Sequence, residues 1–278
     1  MPKYCDLHVH SHYSDGTFSP AELLLLAERA GLDAIALTDH NTLAGLPEFL
    51  AAGENSPVRA IAGIEFSTEY QDTELHILGL FIQPKDYDQI NALLTDYQRR
   101  KEESNIALAN ALNSAGYLID YEAVKSRTEG IPNRAHFAAA LIEKGYLSSI
   151  REGCLTILSP KGGLYTPPAR PDAFETIAWI KSMGSVAVLA HPFLNLKEPD
   201  LRVFLEKAVS CGLDGMETIY STFDEDLTRR AKAIAKEFHL KESGGSDFHG
   251  SNKPDISIGI GRGNLAIDLD LLSALEVT

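Results

Sequence analysis

The chain has only three cysteines, Cys5, Cys154 and Cys211, in 278 residues. They are odd in number and far apart, which argues against a disulfide framework and fits a reducing cytoplasm. No apolar run approaches the length of a membrane span. No basic stretch leads into an apolar one near the N-terminus, so no signal peptide is expected and the expected location is cytoplasmic. There are no repeats and no low-complexity segments. Basic side chains are scarce: 25 Lys and Arg stand against 39 Asp and Glu, a net charge of −14. That balance argues against broad binding to long nucleic acid. Hydrophobic residues make up 44% and charged residues 23%, an ordinary globular composition at a length that can bury a full core.

The negative charge is unevenly spread. Residues 85–172 hold 11 basic and 11 acidic side chains, and the rest of the chain holds 14 and 28. Such a break suggests a separate unit over 85–172, between 1–84 and 173–278. Periodicity agrees. Strand-like runs over 4–10, 33–38, 58–63 and 74–81 alternate with helical ones, Ser19-Pro20-Ala21-Glu22 opening the first helix as a capping box. From 86 to 115 the pattern is one long helix, then a short helix near 120–126, a helix over 134–144 capped by Asn133, and a loop-like stretch over 153–170. Alternation resumes with strands over 185–190, 214–218 and 241–245. Seven strands alternating with helices predict an α/β fold with a parallel sheet, and chemistry at the C-terminal ends of its strands.

One stretch has a different character. Three histidines and two aspartates crowd into residues 6–15. In a strand, Asp6, His8 and His10 would share one face. A polar face on an otherwise apolar strand needs something to satisfy it. No Cys partners stand at the short spacing of a structural zinc finger. Elsewhere, His40, Glu65, His191, Asp247 and His249 fall near strand ends and His76 lies within a strand. With Asp15 these make nine candidate metal ligands, six imidazoles and three carboxylates. Nine suit two or three divalent ions, and this donor mix suits zinc, manganese or iron. Three such ions and three carboxylates leave a positive pocket in an acidic protein, whose natural substrate is an anion such as a phosphate ester.

The motifs that carry these ligands are His8-Val9-His10 through Ser14-Asp15-Gly16, Thr38-Asp39-His40, Gly63-Ile64-Glu65, His76-Ile77-Leu78-Gly79, Ala190-His191-Pro192 and Gly245-Ser246-Asp247-Phe248-His249-Gly250. In this order the chain resembles the PHP family, named for polymerase and histidinol phosphatase members. The resemblance implies a distorted seven-stranded (β/α) barrel with a mostly helical insertion after the fourth strand. It implies one metal on His8, His10, Glu65 and Asp247, a second on Glu65, His76 and His191, and a third on Asp15, His40 and His249. Asp247 and His191 are the catalytic candidates, with either Asp247 or a metal-bound water as the proton donor to the leaving group. The insertion resembles that of a subgroup acting on nucleoside monophosphates, on 3′,5′-bisphosphonucleotides or on 5′ ends of short RNA. Arg134 and Lys161, with His136 and Tyr165, are then the candidate substrate contacts. The preferred substrate is a small 3′,5′-bisphosphonucleotide. The alternatives are a nucleoside monophosphate, short RNA, histidinol phosphate, or a non-catalytic metal-binding module.

Other residues are given plainer readings. His12 would lie beside the ligands or partly exposed. Asp6 and Asp39 would orient imidazoles. Glu217 and Tyr220 belong to the one strand with no proposed ligand, and packing is the expected role for both.

Overall fold

A computed structural model describes residues 3–276; the outermost residues of the first and last proposed units lie outside them. Seven strands follow the chain order across one sheet: β1 (Cys5–Val9), β2 (Ala34–Leu37), β3 (Arg59–Tyr70), β4 (Thr73–Leu80), β5 (Val186–Leu189), β6 (Gly215–Tyr220) and β7 (Lys241–Gly245). Beyond the strand ends, Asp247 donates its N–H to the His8 carbonyl oxygen at 2.8 Å and His10 donates to that of Phe248 at 3.0 Å. These bonds bring the two edges together in a nearly closed barrel. The helices are α1 (Pro20–Arg29), α2 (Leu46–Gly53), α3 (Tyr87–Ser114), α4 (Tyr121–Lys125), α5 (Arg134–Glu143), α6 (Ile150–Leu155), α7 (Ala173–Ser182), α8 (Pro192–Asn195), α9 (Glu198–Ser210), α10 (Glu225–Glu237) and α11 (Leu269–Glu276).

The sheet is not all parallel, contrary to the expectation from alternation. β4 runs antiparallel to both β3 and β5, and the other pairs are parallel. The cause is local. Gln71 and Asp72 both take positive φ, 49° and 62°, the geometry of a two-residue hairpin turn. β3 therefore extends to Tyr70 instead of stopping near residue 63. Glu65 sits in the middle of a long strand rather than at its end.

Strand residues alternate between two apolar layers. Ile35, Leu37, Ala187 and Leu189 belong to the cluster that also contains Leu23, Phe49, Ile177, Phe204 and Ile234 of the surrounding helices. Ala34, Ala36, Val186 and Val188 belong to another, with Leu272 and Leu275 of α11. Burial on both faces explains the near-continuous apolar runs of these short strands. A third cluster is drawn from residues 108–158 alone, including Leu108, Leu112, Val124, Phe137, Leu141 and Leu158. The first half of α3 does not belong to it: Ile90 and Leu94 pack on the barrel core. The stretch read as loop over 153–170 begins inside α6, which Ser149 caps by accepting the Glu152 N–H.

Candidate metal centre

The nine candidate ligands meet around the C-terminal ends of β1, β2, β5 and β7. His8 lies on β1, with His10 and Asp15 after it; His40 follows β2, Glu65 lies on β3 and His76 on β4. His191 follows β5, and Asp247 and His249 follow β7. Donor atoms within 4.8 Å of one another define four overlapping groups: His10, Asp15, His40 and His249; His8, Glu65 and His191; His8, His10 and Asp247; His40, Glu65 and His76. The grouping is more interwoven than the resemblance implies. His10 also reaches the Asp15 group, and Glu65 links groups containing His8, His40, His76 and His191.

The backbone is shaped to allow this convergence. A Cβ on Gly245 would lie 2.1 Å from His8 Cβ, so only glycine lets β7 approach the ligand strand. His191 and Asp247 take left-handed backbone angles, φ 28° and 56°. Each such residue costs on the order of 1–3 kcal/mol and persists only where its surroundings fix it. For His191 that fixing group is Glu217. This fully buried carboxylate accepts the His191 backbone N–H at 2.6 Å and the His8 Nδ1–H at 3.0 Å. Tyr220 donates its hydroxyl to Asp247 Oδ2 at 2.6 Å. β6 thus supplies no ligand but two groups that hold ligands, where packing was the expected role. The available signal was a carboxylate in the middle of an apolar strand, the same argument that singles out Asp6, His8 and His10.

Asp6 and Asp39 act differently from expectation. Asp6 accepts from the Ser246 N–H and hydroxyl, at 2.8 and 2.5 Å, and from the Gly259 N–H at 2.8 Å. Asp39 accepts from the Ser11 N–H, at 2.8 Å, and from the Ser11 and Ser14 hydroxyls, both at 2.6 Å. Both carboxylates fix ligand-bearing loops rather than imidazoles. His12 is half-buried beside the cluster, and its carbonyl oxygen accepts from Thr128 Oγ1 at 3.0 Å. Asn133 Nδ2 donates to Asp15 Oδ2 at 2.7 Å, so the strand-free segment is tied to the ligand loop.

The atoms at the centre have geometry that fits cations. In the neutral imidazole of His8, a proton on Nδ1, toward Glu217, leaves Nε2 as an inward lone pair. That atom lies 3.0 Å from His10 Nε2, 3.3 Å from Glu65 Oε2 and 3.6 Å from Asp247 Oδ1. His10 Nε2 is 3.2 and 3.3 Å from the same two oxygens. Four ligands at 2.0–2.1 Å from a tetrahedral ion stand roughly 3.3 Å apart. His249 donates Nδ1–H to the Asp247 carbonyl oxygen at 2.8 Å, so its Nε2 is also a lone pair, 3.1 Å from Asp15 Oδ1. Asp15 Oδ1, Glu65 Oε2 and His40 Nδ1 are buried without a hydrogen-bond partner. Converging acceptors of this kind repel unless a cation lies among them, and the donor set fits zinc, manganese or iron.

Titration reflects the crowding. Burial opposes charge on Glu65, but His40, His76 and His8 outweigh it and hold the carboxyl well below its usual range. Burial also opposes charge on Asp247, and Lys253, His249 and His8 overcome it. Burial presses the imidazoles of His10 and His76 down, yet their carboxylate partners raise them to about 9 and about 10. Burial takes His40 down to about 4.

A cavity of about 230 Å³ joins the ligands Asp15, His40, His76 and His249 to four cations: Lys101, Arg134, Arg170 and Lys253. Arg170 pairs with Glu74 at 2.8 Å, and Arg134 lies 3.8 Å from the same carboxylate. The Arg134 guanidinium stands 5.5 Å from the centre of the Tyr165 ring. Lys101, half-buried on α3, is paired with no carboxylate among the described residues, and burial lowers its pKa. Of the residues expected at the substrate, Arg134 and Tyr165 line this cavity. Lys161 does not: the turn Pro160–Gly162 leaves it exposed. His136 does not either. It is buried at the start of α5, where Nδ1 accepts the Asn133 N–H at 3.1 Å, and burial lowers it to about 4. Lys101, Arg170 and Lys253 escaped sequence reasoning because nothing in their local sequence distinguishes them from solvated cations.

The PHP domain profile matches residues 6–154, more than half the chain. The chain belongs to the PHP family. A curated relative from Haemophilus influenzae, named a 5′-3′ exoribonuclease, is 32% identical over 250 residues, covering 90% of this PHP chain and 91% of the relative. Another, a 3′,5′-nucleoside bisphosphate phosphatase from Chromobacterium violaceum, is 27% identical over 261 residues, covering 91% and 90%. A solved structure from Bifidobacterium adolescentis, described as a metal-dependent phosphoesterase, superposes with a TM-score of 0.87 at 26% identity, covering 99% of this chain and 96% of that one. This PHP chain is a metal-dependent phosphoesterase.

Proposed function

We propose that this PHP phosphoesterase hydrolyses one phosphate monoester of a small nucleotide, a 3′,5′-bisphosphonucleotide foremost. Two or three manganese, iron or zinc ions on the nine ligands would serve it. The observation that carries the reading is the cavity in which Lys101, Arg134 and Arg170 face four of those ligands. A substrate with two phosphates satisfies both halves: one at the ligand cluster, the other at the cations. Arg134 and Arg170 can each give two parallel N–H bonds to a phosphate, and Lys101 a point charge. Lys101 takes the part that resemblance gave to Lys161.

Divalent ions, when bound, lower the pKa of water and neutralise phosphoryl charge. The chain's own groups set the geometry for in-line attack. Glu217 fixes His8 and the His191 backbone, Tyr220 fixes Asp247, and Asn133 fixes Asp15. His191 and Asp247 act as ligands rather than proton donors. Residues 85–172 act as one cover over the site, supplying Lys101, Arg134, Tyr165 and Arg170. A second reading, removal of nucleotides from the 5′ end of short RNA, draws on a cavity of about 660 Å³ beside Asp247 and His249. It also draws on the name of the Haemophilus influenzae relative.

The test is phosphate release by metal-replete protein from nucleoside monophosphates, 3′,5′-bisphosphonucleotides and histidinol phosphate, with mononucleotide release read in parallel for 5′-phosphorylated oligoribonucleotides. The bisphosphonucleotide should lead, and Lys101→Met should remove most of its lead. A lead by histidinol phosphate, or no phosphate release from any member, would overturn the reading.

A further inference from the structure

Lys253 lies six residues after Asp247, on the loop that follows β7. Its ammonium donates to Asp247 Oδ2 at 2.6 Å. That oxygen already accepts the Tyr220 hydroxyl at the same distance, so it is satisfied without the lysine. The other oxygen of Asp247 faces the ligand cluster, 3.3 Å from His10 Nε2 and 3.3 Å from His249 Nδ1. The ammonium therefore touches one of the candidate ligands on its outward oxygen. It has three N–H groups and spends one on Asp247. Its side chain is 39% exposed. Lys253 lines each of three cavities that open on the cluster: the one with Arg134 and Lys101, the one with His76 and His191, and the large one beside Asp247. Lys101, Arg134 and Arg170 all come from the segment between β4 and β5. Lys253 reaches the same space from the barrel.

We propose that Lys253 is a phosphoryl contact: one N–H holds Asp247 in its ligating position, and another binds a non-bridging oxygen of the reacting phosphoryl group. The insertion's cations then hold the remainder of the substrate, and Lys253 closes on the reacting group from the other side. This rests on the hydrolysis of a phosphate ester at the cluster, not on which nucleotide carries it. Loss of the contact removes a charge-assisted hydrogen bond, which corresponds to about a tenfold to hundredfold weakening.

The experiment compares metal-replete wild type, Lys253→Met and Lys253→Arg. Metal content is measured first, then binding of inorganic phosphate by calorimetry, then kcat and KM for phosphate release. Lys253→Met should keep its metal, bind inorganic phosphate at least tenfold more weakly and lose kcat/KM by a similar factor. Lys253→Arg should recover most of both. Unchanged phosphate affinity in Lys253→Met would overturn the proposal. So would loss of metal in step with phosphate affinity and no rescue by arginine, because the lysine would then serve Asp247 alone. Phosphate titration needs no nucleotide, so a wrong substrate assignment shows separately, as wild type that binds phosphate yet leaves the bisphosphonucleotide intact.

Discussion

Replacing Glu217 by Gln keeps the side chain's volume and removes its charge. The native carboxylate accepts twice, from His8 Nδ1–H at 3.0 Å and from the His191 N–H at 2.6 Å. An amide accepts with only one of its two ends. If the Gln oxygen faces His191, its NH₂ faces His8, whose proton must then move to Nε2. That atom is the inward lone pair of the ligand cluster, and a proton there blocks a cation. If the oxygen faces His8 instead, the NH₂ meets the His191 N–H, donor against donor, at a residue whose backbone φ is already 28°. The second orientation forfeits one buried hydrogen bond, and both orientations exchange the carboxylate's charge-assisted bonds for neutral ones, a loss of about 1.5–3 kcal/mol. Orienting partners of metal-bound histidines typically carry roughly tenfold to hundredfold in affinity or activity, the same range. The assay is competitive metal titration against a chelating dye, with circular dichroism to confirm folding. A folded Glu217→Gln protein with metal affinity within twofold of wild type would refute the reasoning.

Two predictions concern protons. His10 and His76 titrate at about 9 and about 10 in the metal-free protein, so both are charged at pH 7, and ligation requires their neutral forms. Metal binding at pH 7 should release about two protons or more, read from calorimetry in buffers of different ionisation enthalpy, and affinity should rise with pH up to about 10; binding without proton release would contradict this. His136 is depressed from 6.5 to about 4, so its stabilising contribution is full above 6.5 and falls as pH drops toward 4, where the unfolded chain binds the extra proton. His136→Gln can keep the cap without titrating, so the gap in unfolding free energy between wild type and variant should shift by roughly 2 kcal/mol between pH 7 and pH 5. A pH-independent gap in urea titrations would count against a neutral, buried His136.

The ligand set was legible because histidine and acid at alternate positions of apolar strands have no cheap structural use. The same logic applied to Glu217 but was outweighed by the absence of a ligand on its strand. A strand can serve the site by holding other strands' ligands. Register was less legible. Gln71-Asp72 carries neither Gly nor Asn, so nothing marked the hairpin that turns β4 antiparallel and leaves Glu65 in mid-strand. Asp6 shares a strand face with His8 and His10 by periodicity, yet the β1–β2 register shifts between Asp6 and Val9, and Asp6 turns to Ser246 and Gly259 instead. The cations were least legible. Lys161 stands in a Gly-rich loop and Lys101 in an Arg-Arg-Lys run on a helix, and only the packing of α3 and α5 decides which one reaches the cavity.

The measurement closest to the central claim is the ratio of kcat/KM for a 3′,5′-bisphosphonucleotide to that for the corresponding nucleoside monophosphates, with metal-replete protein. A second phosphate held by Lys101, Arg134 and Arg170 gains at least one charge-assisted contact, about 1.5–3 kcal/mol. The ratio should therefore be at least tenfold and should fall toward one in Lys101→Met. A wild-type ratio at or below one would contradict the account.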